Sequence, residues 1–334
     1  MKTRFLLVTA LALVARHVTA QEIDPKCPPG SLDSQGNPDN TMVAQDACQK
    51  AIDLFKYVAP QLGMVLAGGS PTQGVSGALG PGHFSFGIRA NGLSSSLPEV
   101  DKVVPNTRGA QQSTYTLDTT PIGFVTADLA LGLYKGLSDA GFGALDLLVS
   151  AAYVPEYSSP SIEVSVPSGS FKFGWGAKMG VIRETSTAPG VSVSYLTRGL
   201  PRVDIVGTSG EDRLLLENVK VRSKSWRAIA GKSFLFFGLG AGYGRDTYDS
   251  NARITVTVAP RAATQGGTGG PTDLSQELTR NNFFGTVWIR SQVIRIVGEI
   301  GRVSGGDIVT YNLFSGAQAA DPRTYVSVGV SFGR

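Results

Sequence analysis

The sequence predicts an all-β protein: a closed antiparallel transmembrane β-barrel of about 10 strands, within a range of roughly 8 to 14, preceded by one short α-helical segment. Three observations predict it. Ten segments alternate apolar residues with small or polar ones at period two. The joins between them alternate short and long. Their apolar faces carry aromatic rings toward the strand ends, while the opposite faces carry glycine, serine and isolated charges.

Residues 1–20 read as an export signal. Lys2 and Arg4 supply a positive start, Phe5 to Val14 is apolar, and Val18 to Ala20 puts small residues before a cut at Gln21. The apolar run is too short to cross a bilayer as a helix. Without Lys2, Arg4 and Arg16, the 30 basic residues become 27 against 26 acidic ones, a net charge of +1. So nearly neutral a mature chain has no nucleic-acid footprint.

Residues 21–82 are expected to form a periplasmic leader with one amphipathic helix. Cys27 and Cys48 both follow the signal, and export to an oxidising compartment favours a single disulfide between them. A metal site is disfavoured because His83 is the one histidine left after the cut, and no cofactor is expected. From Asn40 to Gly63, Ala44, Ala47, Cys48, Ala51, Ile52, Phe55 and Val58 share a helical face, with Pro60 and Gly63 as stop signals. Such a stripe needs something to pack on. The periplasmic end of the barrel is the expected surface, and entry into the lumen as a plug is the second reading.

Residues 83–334 are the expected barrel. "HFSFGIRA" sets Phe84, Phe86 and Ile88 against Ser85, Gly87 and Arg89. "FKFGWGAKMGVI" sets Phe171, Phe173, Trp175 and Met179 against Lys172, Gly174, Gly176 and Lys178. "FLFFGLGAGYG" sets Leu235, Phe237, Leu239 and Tyr243 against Phe236 and a run of glycines. Similar runs cover 124–134, 142–154, 191–198, 215–230, 283–290, 293–302 and the closing 324–334. Short joins fall near 135–141, 184–190, 231–233 and 291–292, and long or intermediate ones near 92–113, 155–168, 207–213, 245–279 and 304–323. Tight turns on one side and long loops on the other are the outer-membrane arrangement. "RITVTVAP" (Arg253 to Pro260) reads as a loop hairpin above the membrane; as a spanning pair it would raise the count toward twelve.

A soluble sandwich also alternates, so lipid must be argued separately. Aromatic bodies suit the boundary between hydrocarbon and water. Strands of roughly 9 to 11 residues match a tilted crossing, whereas sandwich strands average about 5 or 6. Closure removes the unpaired edge that hydrocarbon could not satisfy.

The final "YVSVGVSFGR" resembles the last strand of bacterial outer-membrane β-barrels, which the barrel assembly machinery recognises through a glycine and spaced apolar residues ending in an aromatic. Gly329, Val330 and Phe332 match, although that family usually ends on the aromatic and here Gly333 and Arg334 follow. The order of helix, glycine-rich passage "LAGGSPTQGVSGALGPG" and strands is loosely similar to fatty-acid-transporter-like and related uncharacterised barrels. The resemblance implies outer-membrane lipid and the assembly machinery as partners, and location in the outer membrane of a Gram-negative-type bacterium.

Catalytic material is thin. Ser85, two residues from His83 on one strand, would lie roughly 6.8 Å away, beyond the reach of a nucleophile–base hydrogen bond. "GLGAGYG" stays within a strand and is a poor phosphate loop, and turn chemistry accounts for "DTYDSN" without calcium. No enzyme is expected. Candidate luminal residues are Asp128, Asp146, Lys172, Lys178, Arg198, Arg295 and Glu299, with the two aspartates side by side across one hairpin and the cations as their partners. Ten strands leave little bore, which disfavours a wide porin. The expected function is passage or capture of a small solute, with an apolar one in view from the resemblance, through a narrow or gated lumen. The alternative is a non-transporting structural or adhesive barrel acting through its loops.

Overall fold

The computed structural model describes residues 22–70, 77–99, 102–137, 142–260 and 266–333; the expected signal, 1–20, lies outside them. Ten strands close into one ring. They are β1 (Phe84–Leu93), β2 (Ile122–Tyr134), β3 (Ala144–Tyr153), β4 (Phe171–Ile182), β5 (Gly190–Gly199), β6 (Asp212–Phe234), β7 (Phe237–Val258), β8 (Gly267–Arg290), β9 (Ile294–Val303) and β10 (Arg323–Gly333). Each pairs antiparallel with its neighbours in sequence, and β10 returns to β1 from Ser85↔Gly333 to Leu93↔Tyr325. With every ring strand paired on both sides, backbone amides find partners within the protein, as hydrocarbon demands.

The alternation sorts as expected. Phe84, Phe86 and Ile88, Phe173 and Trp175, Ile294, Ile296 and Ile300, and Val326, Val328, Val330 and Phe332 face outward and are exposed. Ser85, Arg89, Lys178, Val297, Glu299, Tyr325 and Ser327 face inward and are buried. The outward rings pair as Tyr153–Phe171, Tyr195–Trp226 and Tyr243–Phe283 near the long-loop end. Phe234, Phe236 and Phe237 cluster at the short-turn end. The chain therefore carries an apolar belt between two aromatic girdles.

Strands β6, β7 and β8 run for 23, 22 and 24 residues, about twice the length of the others. Beyond Trp226, Tyr243 and Phe283 their outward side changes to ion pairs, Lys224–Asp249 at 2.9 Å and Arg253–Asp273 at 2.8 Å, so this upper part leaves the belt for water. "RITVTVAP" lies in this extension and adds no spanning strand. The β6–β7 turn falls at Leu235–Phe236 rather than at 231–233, and Phe236, expected inside, is exposed in that turn. Phe234 pairs with Phe237 directly across the turn, so packing between the rings sets its place.

The helix α1 (Asn40–Ala67) continues past both expected stop signals. Pro60 removes one helical donor, while Gln61 Nε2 donates to the carbonyl of Tyr57 at 3.1 Å. Gly63 meets the ring of Tyr248, where an added Cβ would come within 2.7 Å of Cδ1. Enclosure by the sheet outweighs the local breaking signals. No described helix is long and apolar enough to cross a membrane.

The position of α1 differs from the expected periplasmic packing. Its first turn lies beside Gly267 and Gly269, at the top of the extension, and its last turn is in the lumen. The helix thus enters from the long-loop end. Its outer part packs on the extension through Cys48, Ala51, Ile52 and Phe55 against Val219, Val221, Ala252, Ile254 and Leu274. The disulfide Cys27–Cys48 fastens the leader to this part. Two long loops close over the remaining side. Tyr57 stacks on Phe314 and Phe314 on Tyr115, at centroid distances of 4.1 and 5.0 Å, and Asp53 accepts from the backbone of Tyr311 and Asn312 at 3.1 and 2.8 Å.

Candidate functional site

A helix ends with unpaired carbonyls and the negative end of its dipole. In water these are solvated; inside a barrel they must find donors. Arginines from three strands supply them here. Arg198 of β5 donates from Nη1 to the carbonyls of Leu66 (3.3 Å) and Ala67 (2.9 Å), and from Nη2 to Gly69 (3.2 Å). Arg227 of β6 donates from Nη2 to Ala67 at 2.6 Å. Arg89 of β1 donates from Nη1 to the carbonyl of Gly68. Asn91 adds a bond to Val65 at 3.3 Å.

Carboxylates balance these cations. Asp128 pairs with Arg89. Glu299, on β9, takes Arg227 Nη1 at 2.9 Å and the Tyr325 hydroxyl at 2.8 Å. Asp246 accepts from Asn282 at 2.5 Å and from the Tyr248 hydroxyl at 3.3 Å. The guanidinium of Arg227 also lies 5.0 Å from the Phe284 ring centroid, a cation–π distance. All of these groups are buried, where an isolated charge would be costly. The network bonds the helix end to several sides of the wall.

A second group occupies the short-turn end. Asp146 faces Lys178 in the β3–β4 register, and its two carboxylate oxygens accept the backbone N–H of Leu79 at 2.9 and 3.0 Å. The chain is thus in the lumen at Gly69 and again at Leu79, before β1 starts at the same end. Below Leu79, a cavity of about 510 Å³ lined by His83, Ser85, Arg295 and Ser331 opens at the mouth.

Of the seven candidate luminal residues, Asp128, Arg198 and Glu299 belong to the helix-end network, and Asp146, Lys178 and Arg295 to the short-turn end. Two expectations need correction. Asp128 and Asp146 are not side by side, because the β2–β3 register sets Asp128 opposite Ser150 and Asp146 opposite Gly132. Lys172 is outside the lumen, exposed at the outer rim of β4. Three charged network members, Arg89, Arg227 and Asp246, lie outside the candidate set. Arg89 is on the inward face of "HFSFGIRA", and its place beside small residues is the available signal, whereas Asp246 falls in the stretch 245–279 that reads as a long join. Arg227 sits inward on β6 by the same alternation. In the closing strand, Val330 and Phe332 face outward and Gly329 lies opposite Arg89.

No family model matches this chain, and no curated relative matches it. Solved outer-membrane β-barrels are similar to it, and three illustrate the likeness. Ail, the attachment invasion locus protein of Yersinia pestis, is 10% identical over 76% of this chain and 99% of its own, with a TM-score of 0.21. The Ralstonia pickettii toluene transporter TbuX is 10% identical over 80% and 98%, with a TM-score of 0.29. The P. putida toluene transporter TodX is 9% identical over 76% and 90%, with a TM-score of 0.27. Scores this low carry no argument about what the chain does. The barrel rests on its own closed hydrogen-bonded ring, and the chain is a plugged transmembrane β-barrel.

Proposed function

We propose that the protein is an outer-membrane barrel sealed by its own N-terminal helix, with the long-loop end directed outward and serving as the working surface for attachment or capture. One observation carries this reading: the helix end is bonded across the lumen by Arg89, Arg198 and Arg227. The extension of β6 to β8, the disulfide-fastened leader and the loops around α1 then form an outward platform. The closing strand, with Gly329, Val330 and Phe332, serves as the assembly signal.

Gated passage of a small solute is the second reading, favoured by the polar contact between plug and wall. Planar-bilayer recording of the full mature chain separates the two. The sealed reading expects silence, with conductance steps appearing when residues 22–67 are deleted. Steady conductance by the intact chain would overturn it.

A further inference from the structure

The outer rim carries a group of cations that the plug does not use. Lys172, Arg202, Lys220 and Arg222 line one cavity of about 740 Å³, where the top of β4 meets the segment after β5 and the start of the β6 extension. Arg222 stands opposite Gly199 in the β5–β6 register. The stem of Lys172 lies over Gly199, with Cγ 3.4 Å from where a Cβ would be. Asp249, the one acid in the lining among the described residues, is bonded to Lys224 at 2.9 Å. None of the four cations forms an ion pair among the described residues. Buried charges in the lumen are matched; here four like charges share one opening.

The cavity is also lined by Phe171 and Phe173, 61% and 70% exposed, on the outward aromatic girdle. The opening therefore sits at the border of the hydrocarbon belt, where lipid headgroups lie. Aromatic rings against acyl chain and several cations above them suit one kind of ligand. We propose that this rim cavity binds the phosphate of an anionic lipid headgroup, with Phe171 and Phe173 against its acyl chain. The site depends on the belt being lipid-embedded, as in the proposed function, and is indifferent to whether the lumen conducts.

Native mass spectrometry of the detergent-solubilised mature chain tests this with three probes: dilauroyl phosphatidic acid, dilauroyl phosphatidylcholine and inorganic phosphate. Phosphatidic acid should be retained in preference to the zwitterionic lipid, and Lys220→Gln/Arg222→Gln should weaken its binding by about tenfold or more. Both residues are exposed and unpaired, so heat-modifiable mobility should show the variant still folded. A Lys135→Gln control removes an exposed cation at the short-turn end, outside the cavity lining, and should lose less. Equal retention of both lipids, unchanged binding by the double variant, or inorganic phosphate binding as tightly as phosphatidic acid would each overturn the proposal. None of these outcomes would affect the sealed-barrel reading, which bilayer recording decides.

Discussion

The two halves of the plug are held in different ways. The outer half of α1 lies in an apolar cluster, is fastened by Cys27–Cys48 and is covered by stacked rings. The inner end lies among guanidiniums and carboxylates, and Arg89 Nη2, Arg198 Nε and Arg227 Nε are buried without an acceptor among the described residues. Apolar burial is non-directional and tolerates small shifts. A buried ion network is directional and costly when one member is lost. The outer half therefore secures the helix to the protein, and the inner end fixes its depth and rotation in the lumen.

The largest expected effect separates these two grips. Arg227→Ala leaves Glu299 buried without its cation and should cost about 3–5 kcal/mol, read as a fall in the midpoint of heat-modifiable mobility. Arg227→Met with Glu299→Leu should recover most of that loss. If the double variant is no better than the single, the inner end is not an ion-controlled contact. Ile52→Ala, in the outer half, should cost about 2–4 kcal/mol through cavity formation, and no second substitution of charge should repair it. Its most direct readout is faster proteolysis of the leader while the ring of strands stays intact.

The smallest effect concerns Asp53, where the outer loop meets the helix. Burial raises its carboxyl pKa above the ordinary value of 3.8, opposed by the bonds from Asn312. The folded state therefore keeps a proton that the unfolded chain has already lost. This contribution falls as pH rises from the unfolded value through the raised one, and it is constant above that. As pH rises from the ordinary carboxylate value of 3.8 through the raised one, loop protection in hydrogen exchange at Tyr311 and Asn312 should weaken, and Asp53→Asn should remove the dependence.

The strand count was legible because period two is a local property that each segment carries by itself. The inward position of six of the seven candidates followed from the same parity. Lys172 failed because parity applies only while the strand stays in the ring, and it stands at the rim. The Asp128–Asp146 pairing failed because the turn sits further along the chain than that pairing needs: the register puts Asp128 opposite Ser150 and Asp146 opposite Gly132, four residues up the strand from Asp128, and the hairpin's composition does not reveal where its turn is centred. The direction of α1 could not be read from its amphipathic stripe, since an apolar face specifies burial and not which end of a barrel supplies it. The length of β6 to β8 was hidden because their polar upper parts resemble loop sequence.

The register of β10 against β1 has a consequence for biogenesis. The ring joins its first strand to its last, and the plug is bonded to β1, β5 and β6, while the chain lies within the ring at Gly69 and Leu79. A finished hoop could not be corked later from the long-loop side without drawing the leader through it. The seam must zip around a segment already in place, so the helix belongs to the assembly intermediate as much as to the mature barrel.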